Sequence, residues 1–227
     1  MPVIFFLFAL WTACLELKPA INQPPSVNLT LAGKVKSVKP GQQVSFSVSV
    51  TDPEDGSSDY QDIAIHEVFI EIRYIEQLIN HSIGKKRYDP DLGIISIKEQ
   101  RCFDCHQWKT DLVGPAFGKI KQAYDQSESQ QLTNAILNGS VGRWGNEMMP
   151  AQDIPLPQAQ QIVTWLLGKD PDNMVEIIRG LDGLFVADFQ FDHGYYLLTA
   201  SYRDHGVGEE MSHRKTGYHH VVLEITD

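Results

Sequence analysis

The sequence predicts an α + β chain of more than one domain, with an all-α unit in the middle and all-β stretches on both sides. Three observations predict it. Apolar residues recur at helical spacing between about residues 91 and 170. Before residue 75 and after residue 180 the pattern changes to period-two alternation. Turn-forming clusters, Lys39-Pro40-Gly41, Asp52-Pro53-Glu54-Asp55-Gly56, Asp192-His193-Gly194 and Asp204-His205-Gly206, separate the alternating runs.

The N-terminal flank offers three half-buried strands, Val27 to Leu31, Val44 to Val50 and Val68 to Ile72. In the middle, Leu92, Ile94, Ile95, Ile97 and Cys102 lie in a run that predicts one helix. Ser127 to Asn138 predicts a second, with Leu132, Ala135, Ile136 and Leu137 apolar and Gly139 as its stop. Pro157 opens a third at its first turn; Ile162, Val163, Leu166 and Leu167 form its apolar face and Gly168 closes it. The C-terminal flank returns to strands over Gly183 to Gln190, Tyr195 to Tyr202 and His219 to Ile225. Each flank holds about fifty residues, half of the roughly 100 that a two-sheet sandwich needs. Together they suffice, which predicts one discontinuous β unit interrupted by the helices.

Residues 102 to 106 read Cys-Phe-Asp-Cys-His, the attachment signature of a c-type haem. Cys102 and Cys105 would form the thioethers and His106 would ligate the iron. Two intervening residues let one helical turn present both sulfurs to one porphyrin edge. Without the His, the same spacing would also suit a redox dithiol or half a zinc site. A dithiol fold wants a flanking βαβ pattern, which does not surround residues 95–110, and the next His after His106 is His193.

Downstream stand Trp144, Gly145 and Met149-Pro150, and between them and the haem motif lies Val113-Gly114-Pro115-Ala116-Phe117. With Cys102-Phe103-Asp104-Cys105-His106, these three strings in this order resemble the small class I cytochromes c of bacteria, over roughly residues 91–170. The resemblance implies an all-α cytochrome c fold holding one covalent haem c. It implies Met149 as second axial ligand, with Met148 the neighbouring candidate, and Trp144 beside the haem. It also implies a bond from His106 Nδ1 to the Pro115 carbonyl, and Trp165 packed on the first helix. A thioether ligand raises a haem's potential, which suits electron transfer.

The strings Pro40-Gly41 to Gly56 and Gly194 to Asp204 resemble immunoglobulin-like or PKD-type modules found beside cytochrome c domains in bacterial sugar dehydrogenases. The expected division is therefore a signal segment and linker over 1–22, an immunoglobulin-like sandwich from 23–76 plus 178–227, and a cytochrome c domain over 88–172.

Residues 3 to 13 are almost wholly apolar and end just before Cys14, the one cysteine outside the haem motif. This resembles a bacterial lipoprotein signal, with Cys14 lipidated after processing; the stretch is too short to span a bilayer. The reading implies a periplasmic or cell-envelope location and possible membrane attachment through Cys14.

The net charge of -10 and the lack of a basic, aromatic-interleaved stripe exclude nucleic acid as a partner. Residues 91–170 carry seven Lys or Arg against nine Asp or Glu, so most of the negative charge sits on the flanks. A near-neutral haem unit predicts docking through an apolar patch more than long-range steering. Lys85-Lys86-Arg87 reads as a solvated linker. Asp52, Glu54, Asp55 and Asp59 could offer oxygen ligands to Ca²⁺, though an ordinary solvated turn fits as well. His219 and His220 alternate to opposite strand faces, so with His213 they form no shared metal site.

Three function classes compete. The first is an electron carrier with both axial positions filled, which by resemblance would pass electrons from a dehydrogenase to a respiratory oxidase. The second is an open-haem peroxidase or gas sensor, which Met149 argues against. In the third, the β unit binds carbohydrate or a partner; Tyr195, Tyr196, Tyr202 and Tyr218 are its candidate contacts, with core packing the competing role.

Overall fold

The computed structural model describes residues 21–78, 88–207 and 213–226. Cys14, the apolar N-terminal stretch and Lys85-Lys86-Arg87 lie outside the described residues.

Nine strands and four α-helices are described. The strands are β1 (Ser26–Leu31), β2 (Ser37–Val38), β3 (Gln43–Asp52), β4 (Gly56–Ser57), β5 (Phe69–Ile75), β6 (Met174–Arg179), β7 (Asp182–Val186), β8 (Tyr195–Arg203) and β9 (Thr216–Ile225). Between β5 and β6 come α1 (Leu92–Glu99), α2 (Phe117–Ala123), α3 (Ser129–Asn138) and α4 (Leu156–Leu167).

Strands from both flanks share both sheets. In the first, β3 pairs antiparallel with β1, with the short β4 and with β7 from the far side of the helices. The second runs β2-β9-β8-β5-β6, so β5 lies between β8 and β6, both from the C-terminal flank. Phe69 to Ile75 pair in register with Ser201 to Tyr195. The inward residues of β3, Val44, Phe46, Val48 and Val50, are buried against Ile70, Ile72, Leu198 and Tyr196 of the second sheet in one apolar core. The alternation that predicts β3 is thus the print of one covered face and one wet one.

Around β5 and β6 the second sheet is covered on both faces. Ile70 and Ile72 point into the sandwich, while Phe69 joins a second core with Ile94 and Ile97 of α1, Phe103, Phe117, Trp165 and Leu166. Met174 and Ile177 of β6 join the same core. This double cover explains why β6 escapes sequence reasoning: its Met-Val-Glu-Ile-Ile run does not alternate, and Asp170-Pro171-Asp172-Asn173 before it reads as a turn. The strand begins at Met174, ahead of the expected boundary at 178. The two-residue strands β2 and β4 are too short to leave a periodic signal. Helix α2 is also not legible beforehand, because seven residues with Gly118 and two lysines show little period.

Helix α1 is shorter than its apolar run predicts. Asp91 caps it, accepting from the Gly93 amide at 2.7 Å, and it stops at Glu99. Arg101 then takes a left-handed φ of 56°, so Cys102 starts a separate 3₁₀ turn over Cys102–Asp104. Helices α1 and α4 cross closely at Gly93, where a Cβ would lie 2.3 Å from the Trp165 Cβ and 2.4 Å from the Gln161 carbonyl oxygen. No described helix is long and apolar enough to cross a membrane.

Candidate functional site

The 3₁₀ turn gives the Cys-Phe-Asp-Cys-His string its shape. The Cys105 and His106 amides both donate to the Cys102 carbonyl, at 3.2 and 3.0 Å. Phe103, between the two cysteines, is buried and anchors the turn against Phe69 of β5 and Phe117 of α2, each ring centroid 5.4 Å away. Arg179 of β6 pairs with Asp104 on the same turn. The turn is held from the sheet side, leaving Cys105 exposed and Cys102 half-buried.

Neither Cys102 nor Cys105 forms a disulfide. Burial pushes the Cys102 thiol up to about 11, opposite to the depressed thiol of a redox dithiol.

His106 is 8% exposed, and burial lowers its pKa, against the raising effect of its bond to Pro115. Its Nδ1 lies 2.7 Å from the Pro115 carbonyl oxygen. That acceptor requires the proton on Nδ1 and leaves Nε2 with its lone pair, the form in which an imidazole binds a metal. Phe117 flanks the ring at 5.1 Å. Gly114 lies against its edge: a Cβ there would be 2.4 Å from the His106 Cε1. The Gly114 amide donates to the Cys105 carbonyl at 2.8 Å, closing this loop onto the haem motif. Asp111 braces it, accepting from the Ala116 amide at 2.8 Å.

The second loop leaves α3 at Gly139 and returns at Met149. It is pinched shut by a pair of backbone bonds, Ser140 N–H to Met149 O at 3.0 Å and Met149 N–H to Ser140 O at 2.8 Å. Within it, Trp144 lies near Tyr124, ring centroids 6.4 Å apart, and the Arg143 guanidinium sits 4.0 Å over the Tyr124 ring. Met149 is half-buried, whereas Met148 is 68% exposed.

The residue chemistry of these two loops suits a flat apolar cofactor. Leu112 and Val113 on the first, and Val141, Trp144 and Met148 on the second, are large apolar side chains left open to solvent. An apolar plate lying against such groups would cover part of them. Two thiols for covalent attachment, with an imidazole whose Nε2 is free and a thioether as donors, suit iron in a covalently attached macrocycle.

Over 78 residues the chain is 30% identical to cytochrome c-551 of Allochromatium vinosum, a match covering 33% of this chain and 83% of that protein. The chain belongs to the class I monohaem cytochromes c. Cytochrome c-552 of Hydrogenobacter thermophilus is 32% identical over 72 residues, 31% of this chain and 74% of the relative. The crystal structure of Nitrosomonas europaea cytochrome c552 covers 33% of this chain and 95% of its own at 31% identity, with a TM-score of 0.31. No family model matches. This cytochrome accordingly binds one covalent haem c.

Of the residues singled out by sequence, Cys102, Cys105, His106 and Pro115 meet around one turn, while Trp144 and Met149 share the second loop. Gly93, Gly114 and Gly139 were not singled out for a role at the site. Their signal is spatial, a missing Cβ where another chain segment approaches, and Gly139 by sequence reads only as a helix stop.

The other sequence candidates have ordinary structural partners. Asp52 Oδ1 accepts from the Glu54 and Asp55 amides at 2.9 and 2.8 Å, and Asp55 bonds Tyr202 and His205. No group of three or more His, Cys, Asp or Glu that could hold a metal ion occurs among the described residues. His219 Nδ1 accepts from the Leu29 amide at 2.8 Å, while His220 Nδ1 meets the Thr199 hydroxyl at 2.8 Å. Tyr196 and Tyr202 are buried in the sandwich core.

Proposed function

We propose that this chain is a periplasmic or envelope electron carrier that moves single electrons between a dehydrogenase and a respiratory acceptor. Bound haem c supplies one-electron cycling between ferric and ferrous iron. Cys102 and Cys105 would hold it by thioethers, His106 Nε2 and Met149 Sδ would bind its iron, and Trp144 would flank it. The observation that carries this reading is the 2.7 Å contact between His106 Nδ1 and the Pro115 carbonyl oxygen, which fixes the tautomer and aims Nε2. Pro115 therefore sets ring orientation and ligand basicity. With His106 and Met149 both bound to the iron, no place would remain for a substrate on the metal, which would separate the site from a peroxidase or gas sensor.

The partner docks through an apolar patch around the haem edge, as the near-neutral charge of residues 91–170 favours. The β unit is an immunoglobulin-like host into which the cytochrome domain is inserted, and a lipid on Cys14 tethers the mature protein to a membrane.

The test is an optical spectrum of purified protein, oxidised and reduced. Expected are sharp reduced α and β bands and, when oxidised, a weak near-infrared sulfur-to-iron band. Met149→Ala removes that band and admits carbon monoxide, Met148→Ala does neither, and His106→Ala yields no stable holoprotein. Loss of the band in Met148→Ala instead would move the ligand by one residue. A high-spin spectrum in the native protein would favour an open haem. For the tether, mass spectrometry of exported protein should show acyl chains on Cys14, and an unmodified thiol there would refute it.

A further inference from the structure

We propose that Gly139 is the positioning residue for Met149, acting through close backbone contact at the C-terminus of α3. The inference rests on the reading of Met149 as an axial ligand.

An axial thioether needs its sulfur delivered to one place, yet Met has an unbranched side chain with three rotatable bonds. The backbone from which it springs must then be well fixed. Here it is fixed against α3. Gln152 N–H bonds the Ile136 carbonyl at 2.9 Å, satisfying one of the acceptors that a helix leaves free at its C-terminus. Three residues back, Ser140 and Met149 exchange both backbone bonds, at 3.0 and 2.8 Å. The segment carrying Met149 is thereby laid across the end of the helix.

Gly139 is what allows that approach. Its φ of 80° and ψ of 170° belong to a region open essentially to glycine alone. A Cβ at this position would sit 2.7 Å from the Met149 carbonyl oxygen and 3.1 Å from the Ala151 amide nitrogen. Both atoms are backbone, so neither can rotate away, and any side chain at 139 must push the Met149 peptide outward. The same loop contains a natural control. Gly142 also has a positive φ, 90°, but a Cβ there meets nothing within 4 Å. Alanine at 142 brings backbone strain without the contact, whereas alanine at 139 brings both.

The experiment compares Gly139→Ala with Gly142→Ala and Met149→Ala in the full-length holoprotein. Covalent haem content and far-ultraviolet circular dichroism confirm assembly. The readouts are the near-infrared sulfur-to-iron band and carbon monoxide binding to the reduced protein. We expect Gly139→Ala to lose most of the band and bind carbon monoxide roughly tenfold more tightly than the parent, approaching Met149→Ala, while Gly142→Ala stays near the parent. Equal behaviour of the two glycine variants would overturn the proposal, leaving loop strain as the common cause. If Met149→Ala keeps the band, the ligand reading fails and this inference with it.

Hydrogen exchange gives a second measurement that survives poor folding of Gly139→Ala. The amides of residues 140 and 149 should remain protected in Met149→Ala, because the clamp exists without the ligand bond. Loss of their protection in that variant would mean that the ligand bond orders the loop, and would overturn the proposal.

Discussion

Glu71, in the middle of β5 and 1% exposed, accepts a 2.7 Å hydrogen bond from the Lys98 ammonium of α1. The pair joins the central strand of the second sheet to the helix that leads into the haem motif. It anchors a longer network. Tyr88 donates to the same carboxylate, Arg73 binds its other oxygen at 3.2 Å, and Arg73 reaches Asp170, which accepts from Trp165 Nε1 at 2.6 Å. Helix α1 is thus tied to β5 directly through Glu71, and α4 through Asp170 and Arg73.

Breaking that pair should be costly. Burial alone would raise the Glu71 pKa, but the charges of Lys98 and Arg73 outweigh it and hold it at about 2. Lys98→Ala removes part of that compensation and should destabilise the fold by about 3–5 kcal/mol. Glu71→Met with Lys98→Met should cost much less, since a buried pair is often replaceable by apolar groups of similar volume. Urea unfolding of the single and double variants checks this.

The same carboxylate gives an acid limb. A depressed pKa contributes stability above the unfolded value of 4.5, lost as pH falls towards about 2. Thermal unfolding of the parent should therefore fall over that window more steeply than that of the double variant.

His205 gives the opposite sign. Its Nδ1 lies 3.2 Å from Asp55 and its Nε2 2.9 Å from Glu67, joining the turn after β3 to the connection after β8. Burial lowers its pKa, but the two carboxylates outweigh that and raise it above 6.5. A raised histidine contributes stability that is full below 6.5 and is lost as pH climbs through the folded value. The Tm advantage of the parent over His205→Asn should be largest near pH 5–6 and shrink above pH 7; a pH-independent difference would count against this pairing.

Gly93→Ala tests the helix crossing. Its Cβ would press on the Trp165 Cβ and on the Gln161 backbone, and overpacking of this kind costs typically about 1–3 kcal/mol. The expected outcome is lower urea stability with the haem spectrum retained. An unchanged midpoint would show that α1 and α4 can separate freely.

Excision tests the insertion. Replacing residues 88–172 by a short Gly/Ser linker should leave an all-β circular dichroism spectrum with a cooperative transition, because both sheets draw strands from both flanks. The cut also uncovers Phe69 and Ile177 and strips Glu71 of Lys98 and Tyr88. The excised protein should therefore be less stable than the parent, and Glu71→Met should restore part of the loss. Residues 15–76 alone should stay unfolded, since β5 there lacks both of its neighbours.

Much of this was legible beforehand. Cys102, Cys105 and His106 are fixed by covalent chemistry and adjacent spacing, so a short string suffices to find them. Strands β1, β3 and β8 announce themselves through alternation or a long β-branched and aromatic run. Glu71 was not legible as a buried charge, because a carboxylate among isoleucines in a strand reads as the wet face. Arg101 gave no sign of its left-handed φ, and the apolar run of α1 therefore seemed continuous with Cys102.

The sequence by itself determined the cofactor chemistry, the helical character of residues 91–170 and the alternating flanks, because each depends on neighbours a few positions apart. Only the tertiary structure decided that β5 lies between β8 and β6, that Glu71 meets Lys98 across 27 residues, and that Gly139 admits the Met149 backbone. Those outcomes depend on which surfaces are brought together, and on where a missing side chain lets two backbones touch. Such relations leave no periodic trace along the chain, since the groups that define them are remote in sequence and adjacent only once the chain is packed.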